Sequence, residues 1–270
     1  MNEKNNTPIL ISELNEKIRW QKEESPSPKN LFSELAEFLF KKCHLKIGNR
    51  CFYFTELEFY YYSDTKTICV NNEKIVHRDG FCLRDPKQKG TAQQIASVFF
   101  HDYGMDIVIG TEGDAGGVLV RGLKEKENKN TLKLAGPHQI FQAIYQALGY
   151  TDYSRYNQAE ADQKKLEEKI KLLKGGPDFE TPLIMQGFRH MTGQGTNFTE
   201  NNRLFKYAPY RYVTDYMEHP FKEKEKILLS SVLFGRVNSA KKLAQVQTPD
   251  KKVISDIEEW YEWGIKPYCK

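Results

Sequence analysis

The chain reads as an α+β protein. Three observations predict this class. An aromatic-rich run, CFYFTELEFYYY at 51–62, has the composition of a buried strand. A second apolar stretch at 98–123 reads as two strands around a turn holding Gly113 to Gly117. Helical periodicity is confined to separate stretches, so the order is helix, strands, helix, strand, helices and not a βαβ array. With 270 residues, 39% hydrophobic and 28% charged, the chain can bury a core without disulfide staples.

Residues 1–28 are polar, with Pro26 and Pro28 marking a boundary, and are expected to form an N-terminal arm or a short peripheral helix. Leu31, Phe32, Leu35, Phe38 and Leu39 recur at helical spacing, which predicts a helix near 29–43 with Gly48 beyond its last turn. In the aromatic strand, Glu56 and Glu58 stand two apart and so project from one face. Short strands are expected around Ile68–Val70 and Ile75–His77, between Asn-Asn and Asp-Gly turn signals. Pro137 opens a helix whose buried stripe is Ile140, Phe141, Ile144, Tyr145 and Leu148, closed by Gly149. Residues 158–174 read as a charged surface helix stopped by Gly175-Gly176-Pro177. A strand is expected in YAPYRYVTDY, and two helices near 222–245 and 250–263. The expected organisation is therefore the arm, a main α+β domain over 29–217 and a helical C-terminal extension over 218–270 packed on the core.

Several classes of protein find no support in these residues. No apolar run reaches the ~18–20 residues of a membrane span, and MNEKNNTP lacks the apolar segment of a signal peptide, so a cytoplasmic, non-secreted protein is expected. Five cysteines without CxxC spacing read as reduced thiols, and the histidines show no metal-ligand spacing, so no metal site is expected. The formal charge of +4 permits a polyanionic partner without demanding one. GDAGG at 113–117 lacks the phosphate-loop pattern and reads as a hairpin turn. The residue that stands out is Glu58. A carboxylate within an aromatic strand is costly unless it is paired, and such groups cluster where protons move. Its plain alternative is a glutamate facing solvent on a half-exposed strand.

Several short segments, taken in order, resemble the alkyladenine (3-methyladenine, methylpurine) DNA glycosylase family, of which the chain looks like a divergent member. They are Leu35-Ala36-Glu37-Phe38-Leu39 in the first helix, Glu56-Leu57-Glu58-Phe59-Tyr60, the Tyr103-Gly104-Met105 segment, Val118-Leu119-Val120-Arg121-Gly122-Leu123, Gly136-Pro137, and Pro209-Tyr210-Arg211-Tyr212-Val213. The match runs from about Leu31 to Val213 and leaves out both ends. It implies a methylpurine-DNA-glycosylase-like fold, a curved and mostly antiparallel sheet with surrounding helices, and a monofunctional base-excision repair enzyme. Such an enzyme acts on double-stranded DNA as a monomer, flips an altered purine and hydrolyses its N-glycosidic bond without metal or cofactor.

By matching position the resemblance makes Glu58 the water-activating carboxylate and Arg121 its support. Tyr60, His77 and Phe100 become the walls of the base pocket, with Glu58 at its floor, and Tyr103 the side chain that intercalates. The sequence departs from the family pattern at Phe100, where the family has tyrosine, and at Gly110, which falls near a pocket asparagine. Glu-Leu also replaces Glu-Thr in the strand motif. The alternative is a catalytically inactive or repurposed nucleic-acid-binding module on the same fold, in which Glu58 serves structure alone.

Overall fold

A computed structural model describes residues 7–86, 89, 96–101, 103–125, 133–149, 169–176, 184–189, 204–206 and 208–214. It is an α+β protein built on a strongly curled antiparallel half-barrel sheet with few helices. The organising element is β2 (Arg50–Val70), which hydrogen-bonds β6 (Ala115–Glu125) along one edge. Along its other edge lie β1 (Cys43–Ile47), β10 (Arg211–Val213) and β3 (Glu73–Arg78). The sheet continues from β6 to β5 (Gly104–Val108) and β4 (Val98–His101), and β7 (Lys133–Ala135) also pairs with β6. From β1 it continues to β8 (Ile170–Lys174), while β9 (Met185–Gly187) pairs with β10.

The two faces of β2 have different neighbours because successive residues point to opposite sides. Leu57, Phe59 and Tyr61 are fully buried on one face. There Phe59 stacks on Phe32, ring centroids 5.0 Å apart, between α2 (Pro28–Leu31) and α3 (Ser33–Lys42). Leu35, Ala36 and Leu39 of α3 are fully buried as well; each large apolar side chain so buried contributes about 1.5–3 kcal/mol. The helix expected near 29–43 is thus present as two pieces broken at Phe32, whose φ of −110° and ψ of 7° are not helical. Helix α4 (Pro137–Ala147) has proline in its first turn and buries Ile140, Phe141, Ile144 and Tyr145, as its periodicity predicts.

Three segments differ from their sequence reading. The described part of the N-terminal arm is woven into the core: Ile9 donates from its backbone to Leu172, and Ile9, Ile11 and Leu14 are fully buried. These apolar residues are too few for a helical stripe, yet one short helix, α1 (Ile11–Asn15), suffices to seat Ile11 and Leu14. Residues 170–174, read as the end of a surface helix, form β8 on the open edge of β1. Ile170 and Leu172 suit either period, and the unpaired hydrogen-bonding groups of that edge decide the choice. The stretch 98–123 holds three strands, with an extra turn at Tyr103. The expected helices of the C-terminal extension, and residues 158–168, lie outside the described residues.

The Tyr103 turn depends on Gly104, whose φ of +144° disfavours a side chain. A Cβ there would also sit 2.8 Å from Pro137 Cβ. Gly104→Ala should therefore destabilise the protein by more than about 1 kcal/mol, measured as a lower urea midpoint with an unchanged slope.

Candidate active site

On the face of β2 opposite the helices, the strand register sets out a row of side chains. Asp106 of β5 pairs with Leu119 of β6, Leu119 with Glu58, and Glu58 with Arg211 of β10. Directly paired residues of antiparallel strands share a face, so all four project together. Phe99, paired with Asp106, joins them, as does Tyr60, two residues beyond Glu58. This face is slightly more open than the helical one: Phe99, Leu119 and Tyr60 keep 8%, 6% and 7% exposure, and the Arg121 side chain 24%.

Two consecutive irregularities shape the centre. The register of β2 against β6 shifts between Phe54 and Glu56 and again between Glu56 and Leu57. The second shift leaves Arg121 without an opposite residue, since Val120 faces Leu57 and Gly122 faces Glu56. A bulge re-aims its residue, and here the guanidinium reaches both acids of the strand. Arg121 Nε donates to Glu56 Oε1 at 2.9 Å, and Nη1 donates to Glu58 Oε2 at 3.3 Å. Gly122 permits the close pairing, because a Cβ there would lie 2.7 Å from the Glu56 backbone nitrogen.

Glu58 is 2% exposed. Its Oε2 also accepts the Tyr60 hydroxyl at 2.8 Å, and its Oε1 lies 3.7 Å from Arg211 Nε. Burial alone would raise its carboxyl, but Arg121, Arg211, the Tyr60 hydroxyl and Arg189 outweigh that effect and hold it below the usual glutamate range. It is therefore an anion at neutral pH. Burial and the Glu58 charge push the Tyr60 hydroxyl well up, so Tyr60 remains a donor. The plain alternative of a solvent-facing Glu58 is excluded by this geometry.

Further buried charges support this centre, and two of them, Arg189 and Asp79, belong to none of the sequence motifs. Arg189 is fully buried, its guanidinium 4.4 Å from the centre of the Tyr60 ring. It donates to Asp79 Oδ2 at 2.7 Å, to the Phe59 carbonyl at 3.1 Å and to the Phe205 carbonyl. Arg211 donates to Glu56 Oε1 at 2.8 Å. Among the described residues the cluster is balanced, three carboxylates (Glu56, Glu58 and Asp79) against three guanidiniums (Arg121, Arg189 and Arg211), and these offer no surplus positive charge to cradle a phosphate. Among the described residues there is no group of three or more acidic, histidine or cysteine side chains placed to hold a metal ion. Nor do these residues contain a helix long and apolar enough to cross a membrane.

Of the residues singled out from the sequence, Glu58, Tyr60 and Arg121 come together. His77 and Phe100 do not join them, and their assignment as pocket walls is corrected. His77 is fully buried on the helical face, its ring among Trp20, Phe32, Phe205 and Tyr210. Its Nδ1–H donates to the Tyr61 carbonyl at 2.9 Å, and its Nε2 accepts the Tyr210 hydroxyl at 2.8 Å. Burial, helped by Arg189, lowers its pKa to about 3, so it stays neutral. Phe100 is 2% exposed and points to α4, edge-on to Phe141 at 5.3 Å. Its neighbours Phe99 and His101 take the Glu58 face instead, as strand alternation requires. Gly110 is buried just past β5, its N–H donating to the Gly116 carbonyl at 3.1 Å. Tyr103 protrudes from the β4–β5 turn with 71% exposure.

Comparison with protein-family models found no match, and comparison with curated proteins found no significant one.

Proposed function

We propose that this chain is a base-excision DNA glycosylase of divergent methylpurine type, which flips an altered purine from duplex DNA and hydrolyses its N-glycosidic bond. The observation that carries this reading is the ionised Glu58, locked by Tyr60 and the bulged Arg121 on one face of a curled sheet. Breaking an N-glycosidic bond leaves positive charge on the sugar. A fixed carboxylate next to that charge stabilises it and orients the attacking water, and it needs no metal or cofactor. The depressed pKa of Glu58 favours this electrostatic role over that of a strong base. Tyr103, exposed on a turn of the same sheet, has the size and placement of a side chain that fills the gap left by a flipped base. With His77 and Phe100 elsewhere, Tyr60, Leu119 and Phe99 are, among the described residues, the apolar side chains on the Glu58 face that the base would meet. The protein would meet its duplex as a monomer in the cytosol or nucleoid.

A second reading is favoured by a specific observation. Glu58 is 2% exposed and two of the expected pocket walls are core residues, as suits a module that binds duplex DNA without cutting it. Single-turnover assays over duplexes carrying alkylated, deaminated and etheno purines separate the two. Excision of any of these bases establishes the first reading. Duplex binding without excision establishes the second, and neither binding nor excision overturns both.

A further inference from the structure

We propose that His101, held by Asp106, is the positioning residue that sets the posture of Tyr103. The proposal rests on the reading of Tyr103 as the side chain that enters the duplex. An exposed wedge carried on a tight turn needs something to hold it, since a freely rotating side chain loses conformational entropy on insertion. At this turn the His101 ring supplies the hold. Its Nδ1 accepts the Tyr103 backbone N–H at 3.2 Å, and its ring centroid lies 6.0 Å from that of Tyr103. Phe99 also packs near the imidazole, its ring centroid 5.6 Å away.

The tautomer follows from these contacts. A nitrogen that accepts a backbone N–H carries no proton, so the neutral ring is protonated on Nε2. That Nε2 is buried and lacks an in-line hydrogen bond, and it faces Asp106 Oδ1 at 3.1 Å. A lone pair on Nε2 would repel this carboxylate, whereas an N–H is attracted to it. Asp106 thereby selects the tautomer that leaves Nδ1 open to Tyr103. Asp106 also belongs to the row Asp106–Leu119–Glu58 across β5, β6 and β2. The turn bearing Tyr103 is thus tied through two side chains to the strands that carry Glu58.

Two measurements on the full chain test this. The first is hydrogen exchange at the Tyr103 amide, which needs no DNA. In His101→Phe, which keeps a ring but no acceptor, exchange at that amide should quicken at least about tenfold. His101→Asn, whose side-chain oxygen replaces Nδ1, should restore most of the protection. Exchange in His101→Phe equal to that of the natural chain overturns the proposal, whatever the protein binds. The second compares affinity for a duplex with a paired lesion and for the same duplex with the base already missing. His101→Phe and Tyr103→Ala should each weaken binding of the paired duplex by about tenfold, the scale of one lost hydrogen bond. Both should leave the gapped duplex nearly unaffected, and equal losses on both duplexes would overturn the proposal. If the natural chain binds neither duplex while the exchange result holds, the DNA reading fails and the positioning role of His101 stands.

Discussion

Replacing Glu58 with glutamine is expected to lower single-turnover base excision by about 10²–10⁴-fold while duplex binding is retained. Glutamine matches glutamate in shape and still accepts the Tyr60 hydroxyl, so the change removes charge rather than packing. Arg121 keeps its bond to Glu56 at 2.9 Å, so its guanidinium is not left stranded. The loss should therefore fall on the chemical step. Unchanged excision by Glu58→Gln would remove this residue from the mechanism. The pH dependence carries a second sign. Arg121, Arg211, Tyr60 and Arg189 hold the Glu58 carboxyl down against its burial. Its charge, and the stability its pairing contributes, are then complete above the ordinary glutamate value and are lost only as pH falls through the depressed one. The acid limb of the excision profile due to Glu58 should accordingly lie below the usual carboxylate range. An acid limb near neutrality that disappears in Glu58→Gln would contradict the depressed pKa.

Much of the strand geometry was legible in the sequence because it depends on a period of two. Glu56, Glu58 and Tyr60 share a face as their spacing implies, even though the register shifts twice beside them, because Arg121 and Thr55 absorb the extra residues. The pocket walls were harder, for a reason the register makes plain. Moving from Phe100 to Phe99 or His101 exchanges one face of the sheet for the other, and a resemblance between short segments does not settle register. His77 was misassigned similarly, since its position is set by packing against Trp20, Phe32 and Tyr210. Arg189 and Asp79 left no local signal at all. They are joined across 110 residues of chain, and a lone arginine in a glycine-rich stretch looks no different from a surface one. The N-terminal arm hid its role in the same way: Trp20 bonds the Thr67 carbonyl at 2.6 Å, a contact that only the folded chain creates.

Arg189→Met should be among the most damaging single substitutions, because it strands Asp79 in the core without its cation. Removing one partner of a buried ion pair typically costs about 3–5 kcal/mol, against a total stability of roughly 5–15 kcal/mol for proteins in general. The Phe59 and Phe205 carbonyls also lose their donor, and the Tyr60 ring loses the cation over its face. Excision should then fall even in molecules that remain folded. The double substitution Arg189→Met with Asp79→Leu removes both charges and should recover part of the loss, since buried pairs are often replaced by apolar groups at little cost. Recovery stays partial because the carbonyls remain unserved and the Phe81 N–H loses its bond to Asp79 Oδ1. The pH dependence separates this account from simple loss of packing. Burial already pushes the Asp79 carboxyl up, with Arg189 opposing it. Without Arg189 the acid is driven further toward its neutral form. The deficit of the single variant, read from urea midpoints, should then be smallest in acid and grow as pH rises past the already raised Asp79 value of the natural chain, where only the variant must either keep a proton on Asp79 or bury an unpaired charge. A deficit that does not change with pH would mean that Arg189 acts through volume alone.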